Sequence, residues 1–514
     1  AILPSILNLT SNRETMKKIF IILSVFLAIS SCSKLEDLNL NKKDFATVSG
    51  ESLYNGATLQ FINQLSNESV NSNVTLMWMQ HLANTTYFDE SRYDMTTRGI
   101  PVTTSNVTYR LVLNNYKEAA AVLKVQPLAG ISQAQRDNQL AIVEIMTIFA
   151  WSYVVENFGD MPYSQALDYN YPSPVYDDAL TIYKDLVSRL DVAMNTITPG
   201  AGGMPAGYDN IFGGEDDEAS MWYKFANTLK VRMGLMLYDV DQSYSKTVVE
   251  AAVPDVFEEG DVMSMHYLSA APNQNQQYVD FVASGRDDYV ITSNLIDAMQ
   301  PTTPAPEHPI LSVTVTDPRL KVYAIPVIGS NPQVYLGGAQ GQSNGYTSFS
   351  HVNPVHLTPD RPWVIMDYTE AEFLLAEAAE RGFSVSGTAE DHYNNAIRSS
   401  ILYWGGTSAE ADAYLAQPSV AYSTAFTDWK QKIGTQAWLA YWLRGNTLWN
   451  SYRRLDYPRL FAPPEYKQGI NKVPVRLFYP VSEQTLNPDN YNAASTKIGG
   501  DSPLTKLFFD KEIY

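Results

Sequence analysis

The sequence predicts a mainly α-helical protein of stacked helix pairs, with a loop-rich face and a few short strands. Two observations carry this. Apolar residues recur at helical spacing in several separate segments, and one of these, Leu140 to Trp151, is apolar almost all round, broken only by Glu144 and Thr147. Long Gly/Pro/Asn/Ser-rich stretches at 198–220, 268–290, 301–318 and 329–362 lie between such segments.

The N-terminal element reads as an export leader. Met16-Lys17-Lys18 is a basic start, and the apolar run Ile19 to Ile29 is 11 residues long. A bilayer-spanning helix needs about 20 apolar residues. A short apolar core between a basic start and small residues is a signal peptide. Ile29-Ser30-Ser31-Cys32 resembles the lipobox of bacterial lipoproteins, in which cleavage precedes the cysteine and its thiol carries a lipid. Residues 1–31 are therefore expected to be a leader whose true start is Met16, with residues 1–15 outside the signal. Cys32 is the one cysteine of the 514 residues, so it has no intramolecular disulfide partner. Residues 32–50 are expected to be a lipidated flexible tether. Glu36 and Asp37, close behind Cys32, resemble a surface-export signal of outer-membrane lipoproteins.

The helical elements follow. Trp222, Phe225, Ala226, Leu229, Met233, Met236 and Leu237 share one face. Tyr368, Ala371, Leu374, Leu375, Ala378 and Ala379 repeat the pattern. Trp438, Trp442, Gly445, Trp449 and Tyr452 follow a 4-3-4-3 spacing. A helix apolar on all sides, as at 140–151, must be covered by several neighbours, as in stacked pairs. No clean 34-residue period exists, so tetratricopeptide-like units are degenerate. Short strands are expected at Leu311–Val315 and Lys321–Ile328. Loops this long usually carry function.

Charge and motifs narrow the chemistry. The net charge is −19. Arg13, Lys17, Lys18 and Glu14 precede Cys32, so the chain beyond is about −21. Such a chain repels polyanions, which argues against nucleic acid as a partner. Aromatics are 12% of residues, with 33 Tyr, and each such ring is apolar with a polar tip. Gly341-Gln342-Ser343-Asn344-Gly345 matches G-x-S-x-G, but the flexible Gly337 to Gln340 before it and the segment after it lack the strand and helix of a nucleophile elbow. Of His81, His266, His308, His351, His356 and His392, His351 and His356 share a loop without an evident third ligand for zinc. Asp216-Asp217 and Asp287-Asp288 sit in turn-rich segments, where neighbouring carboxylates usually cap turns and occasionally bind Ca²⁺. No catalytic centre, cofactor or resident metal is expected; a structural Ca²⁺ has no further support.

Six segments then carry a resemblance. Asn157-Phe158-Gly159-Asp160-Met161-Pro162-Tyr163-Ser164-Gln165-Ala166-Leu167 resembles the "fGdvPyseA" signature of the SusD/RagB family of outer-membrane nutrient-binding lipoproteins, especially its second SusD-like branch. Tyr176-Asp177, Ile182-Tyr183 and Leu190-Asp191 with Ala193 are similar to the next helix of that family. Trp222 to Arg232, Tyr368 to Ala378, Gln436 to Pro458 and Val473 to Asn487 follow in the same order. Most of these residues look architectural. Gly159 suits a helix stop, Pro162 blocks continuation, and Arg453-Arg454 complement a helix C-terminus.

The resemblance implies one SusD-like helical domain over 51–514, although by length alone the chain suits about three domains. It implies four tetratricopeptide-like pairs, no enzymatic activity, and an outer-membrane, surface-exposed location. It also implies a partner, a SusC-like TonB-dependent barrel, and a ligand, an oligosaccharide or peptide. Its ligand residues are not at fixed positions, so candidates come from local composition. Trp78, Gln80, Tyr87, Arg92 and Tyr93 form an aromatic, amide-rich segment. Asn275, Tyr278 and Tyr289, with Asn273 and Gln276, lie in a polar loop. Tyr335, Tyr346, Phe349 and Trp363 lie in the longest Gly-rich stretch. Aromatic rings stack on pyranose faces, and amides bond sugar hydroxyls. A surface-anchored hydrolase and a protein-binding adhesin or scaffold are the alternatives.

Overall fold

Each long apolar-periodic segment is a helix in the computed structural model, which describes Met16 and residues 48–69, 71–213, 217–303 and 309–511. Apart from Met16, the leader, Cys32 and the tether as far as residue 47 lie outside the described residues, as do Asp216 and His308.

Among the described residues from 48 onward, Ser49 opens the first helix, α1 (Gly50–Ser66): its hydroxyl accepts from the Ser52 N–H. The helix therefore starts inside the stretch expected to be tether. It packs on α2 (Asn114–Val125). The signature segment follows α3 (Gln133–Phe158), which packs on α4 (Ala179–Thr196). α3 is long and apolar enough to cross a membrane, but it is enclosed by the fold, as its all-round apolarity requires. Then come the packed pairs α5 (Glu218–Met236) with α6 (Gln242–Ala252), α7 (Tyr368–Glu380) with α8 (Ala389–Tyr403), and α9 (Trp429–Ala440) with α10 (Gly445–Leu455). The described residues from Ser49 onward cluster as one unit.

The expected stops are present. α3 ends at Phe158 and Gly159 follows with φ +85. A Cβ there would meet Leu507 Cδ2 at 2.8 Å, so both the turn and the packing require glycine. The Trp222 face is buried throughout. The 4-3-4-3 row is buried as well, but it spans two helices, α9 and α10. Leu443, with φ +60, breaks the chain between them. Gly445 then sits so close to the Thr75–Leu76 turn that a Cβ would lie 2.2 Å from Thr75 Oγ1. Periodicity alone does not reveal such a break, because the two helices face the same core.

Arg453 and Arg454 lie in the last turn of α10, but they are buried and act as cross-links. Arg453 stacks 3.6 Å from the Trp449 ring centroid and donates to Val475 O at 3.0 Å and to Glu156 O. Arg454 Nε donates to Glu377 Oε2 at 2.8 Å, and Arg381 holds the other oxygen at 2.9 Å. Burial opposes ionisation of Glu377, yet the two guanidiniums hold its carboxyl below the usual range.

The strands are short antiparallel pairs. β1 (Leu82–Asn84) pairs with β3 (Tyr289–Ile291), β2 (Val262–Met265) with β6 (Trp363–Asp367), and β4 (Ala324–Ile325) with β5 (His351–Val352). The strand expected at 311–315 is irregular, tied by Thr314 and Val315 N–H groups to Gln417 Oε1 at 2.8 Å. The one expected at 321–328 begins in a helical turn, Leu320–Tyr323, continues through the two residues of β4 and ends in a loop.

Candidate ligand-binding site

Three loops far apart in sequence meet at one end of the β1–β3 pair. The register sets Asn84 opposite Tyr289, so the chain leaving β1 and the chain entering β3 emerge side by side. The Thr85 N–H donates to Asp288 O at 2.9 Å. Asn344 brings the third loop: its Nδ2 donates to Asn84 O at 2.9 Å, while its Oδ1 accepts from the Ala339 N–H at 2.8 Å. The Ser343 hydroxyl donates to Thr85 O at 3.3 Å. The Gly341–Gly345 segment is thus a turn pinned on β1, with no strand before it and only a short 3₁₀ turn after it.

The first two loops, with Ser69, Asn71 and Arg98, line a cleft of about 340 Å³ that includes Tyr87, Arg286 and Tyr289. Tyr87 is 51% exposed and has φ +55. Two guanidiniums flank its ring, Arg98 at 5.5 Å and Arg286 at 5.6 Å from the centroid. Each is charge-balanced: Arg98 pairs with buried Glu90, and Arg286 is bidentate on Asp288 at 2.6 and 3.1 Å. Tyr346 is half-buried and stacks on His351, with centroids 4.0 Å apart. Burial, then nearby Asp287, raises the Tyr346 hydroxyl pKa; burial lowers that of His351. Phe349 is half-buried beside them, its carbonyl 3.4 Å from His351 Nδ1. The cleft therefore offers one exposed ring, Tyr87, beside hydroxyl, amide and guanidinium groups, with no uncompensated cation among its described lining residues. Such a surface suits a neutral polyhydroxy ligand.

The floor is acidic. The Glu68 N–H donates to Asp280 Oδ2 at 2.8 Å, and the Tyr289 hydroxyl donates to Glu68 O at 2.5 Å. Burial pushes the Asp280 carboxyl up to about 6 against the pull of the Glu68 and Ser69 N–H groups. Burial also raises Glu68, with Asp280 adding to it.

Of the residues expected in a site, Tyr87 and Tyr289 line this cleft, while Tyr346 and Phe349 lie on the third loop, outside its lining. Tyr289 contributes a wall rather than an open ring, because it is 6% exposed. Arg92 supports from behind: its Nε donates to Gly341 O at 2.6 Å and it pairs with Glu465. Trp78, Tyr93 and Gln80 are core residues, and the expectation that they touch ligand is corrected. Trp78 is fully enclosed, donates to Glu90 O at 3.2 Å and packs edge-on to Trp449. Tyr93 is fully enclosed in a left-handed turn. Gln80 spends its amide on Phe461 O, at 2.6 Å, and on Asn294. Asn275 is also buried; it caps the Gln276–Tyr278 turn and donates to Arg361 O at 2.9 Å, with Tyr278 half-buried beside it. Trp363 lies in β6 with its N–H on Leu443 O at 3.3 Å. Tyr335 packs half-buried against the core. Sequence reasoning missed Arg98 and Arg286, and it read His351 only as half of a zinc pair.

The family comparison covers most of this architecture. Residues 42–480 match the second SusD-like family model, described as starch-binding associating with outer membrane. The chain belongs to the SusD-like family. Solved SusD-like relatives share the fold. A chitin-binding protein is 24% identical at TM-score 0.74, over 90% of this chain and 100% of that one. A chitin-binding SusD homolog from Flavobacterium johnsoniae is 21% identical at TM-score 0.73, over 90% and 99%. A SusD-like protein from Bacteroides thetaiotaomicron is 20% identical at TM-score 0.71, over 89% and 99%. No curated protein matches the chain.

Proposed function

We propose that this protein is an outer-membrane lipoprotein, anchored through Cys32 and exposed at the cell surface, that captures an oligosaccharide and hands it to a TonB-dependent barrel. The observation that carries the reading is the exposed Tyr87 ring set between two guanidiniums and beside Ser69 and Asn71 in the cleft, with the Tyr346 and Phe349 rings on the loop pinned to β1. The chitin-binding activity named for two fold relatives makes N-acetylated glycans the first ligands to test. In this reading the rings stack on pyranose C–H faces, and Asn71, Ser69 and the guanidinium edges bond hydroxyl and acetamide groups. The protein binds its ligand without turning it over, and the Ser343 hydroxyl, spent on a backbone carbonyl, supports this.

Calorimetry with an N-acetylglucosamine hexamer, a maltose-series hexamer and a hexapeptide tests the ligand class. The expected result is glycan binding that Tyr87→Ala and Tyr346→Ala each weaken strongly. Glycan affinity unchanged in both variants, or binding of the peptide alone, overturns the loop site. Anchoring is tested separately. Palmitate labelling should be lost in Cys32→Ala, and a large outer-membrane barrel should co-purify with the wild-type protein.

A further inference from the structure

A second groove lies at the end of α8 and takes no part in the site above. The helix ends at Tyr403, and Gly405, with φ +82, turns the chain away. Leu402 and Tyr403 are left 38% and 41% exposed, with Trp404 half-buried beside them. Two lobes, of about 420 and 470 Å³, both reach Tyr403. One is lined by Thr369, Asn395 and Ser399, the other by His356, Thr358 and Arg361.

The rings are fixed. Tyr403 stands perpendicular to Trp404, centroids 5.4 Å apart, and Tyr323 packs edge-on to Trp404 at 5.2 Å. The Arg361 guanidinium lies 4.6 Å from the Trp404 centroid, and its Nη1 donates to His356 O. Behind this row a narrow slot includes Arg444, which is only 5% exposed. Arg444 bonds Asp367 Oδ1 at 3.0 Å and Ile365 O at 3.1 Å, but its Nε has no partner among the described residues. A buried N–H without an acceptor is costly, and an acceptor entering the slot would satisfy it.

We infer that this groove is a second glycan site, holding a chain of pyranose units that runs over Tyr403 from one lobe to the other. The inference rests on the reading of the protein as a glycan binder. Each lobe is the size of a small-ligand site, and two lobes joined at one aromatic ring suit a chain rather than a compact molecule. Tyr403 supplies the stacking face, while Asn395, Ser399 and Thr358 supply partners for hydroxyls. With the loop site, the groove gives the protein two grips on one polymer, and linked grips raise affinity for long chains far more than for short ones.

The test is affinity electrophoresis of the purified protein in gels containing glycol chitin, beside calorimetry with the N-acetylglucosamine hexamer. Tyr403→Ala and Arg361→Ala should each weaken retardation by the polymer on the order of tenfold while hexamer binding at the loop site persists. The double variant Tyr87→Ala/Tyr346→Ala should keep residual retardation that adding Tyr403→Ala removes. Far-UV circular dichroism checks folding, and Arg361→Ala serves if Tyr403→Ala unfolds. Wild-type migration of both groove variants overturns the second site and leaves the loop-site reading standing. Loss of all binding on Tyr403→Ala, with the loop variants unaffected, overturns the loop site and makes the groove the sole site. No retardation of the wild type overturns both.

Discussion

The side chain of Asn344 donates to the backbone carbonyl of Asn84 at 2.9 Å, joining two segments 260 residues apart in the chain. The same side chain closes its own turn by accepting from the Ala339 N–H and donating to Ala339 O at 3.0 Å and Gln342 O at 2.9 Å. One amide thus both shapes the third loop and pins it to β1. Asn344→Ala should strand these backbone groups, at about 1–3 kcal/mol. The expected result is weaker hexamer binding by calorimetry with an unchanged helical circular dichroism spectrum. Full affinity in the variant would show that the loop holds its place without this tie.

The Glu377 carboxylate balances two buried cations, Arg454 and Arg381. Glu377→Ala leaves both uncompensated, and breaking such buried pairs costs about 3–5 kcal/mol. The urea midpoint should drop sharply. A drop no larger than that of an exposed-pair variant such as Asp412→Ala, whose partner is Arg398, would contradict this account.

Asp280 makes the floor of the loop site pH-dependent. Its folded-state pKa, about 6, lies above its ordinary value of 3.8, so the folded form holds the proton more tightly. That contribution to stability is fully present below the ordinary value and is lost as pH rises from about 4 through about 6. Asp280→Asn keeps an acceptor for the Glu68 N–H and cannot ionise. Melting temperatures of the wild type should fall relative to this variant between pH 4 and pH 7; parallel curves would show that Asp280 titrates normally.

Gly445 is fixed by contact. A Cβ there would overlap Thr75 Oγ1, and overpacking of this kind costs about 1–3 kcal/mol. Gly445→Ala should lower the unfolding midpoint. Thr75→Ser, which leaves the hydroxyl in place, should not relieve the loss, whereas Thr75→Gly should relieve part of it.

The scaffold was legible in the sequence because burial of a helix face repeats every three or four residues. The faces at Trp222 and Leu374 and the all-round burial of α3 follow from that rule. The loop site was legible only in part. Tyr87, Tyr346 and Phe349 were reachable as aromatics in polar segments, but so were Trp78 and Tyr93, which are core. Composition cannot separate these sets, because exposure depends on pairings made over hundreds of residues. Arg98 and Arg286 illustrate the same limit: they flank one ring from positions 188 apart in the chain. The break at Leu443 was hidden because a positive φ in a leucine has no signature in sequence.

The β1–β3 pairing has a consequence for how the protein comes into being. Its two strands are separated by roughly 200 residues of chain, and the third loop that Asn344 pins to β1 comes later still. Contacts of such long range close slowly and late, because the entropy of the intervening chain must be overcome first. Helix pairs such as α3–α4 can form from neighbouring sequence alone; the cleft cannot. A chain arrested or clipped before residue 344 can be richly helical and still lack the third loop and its tie to β1.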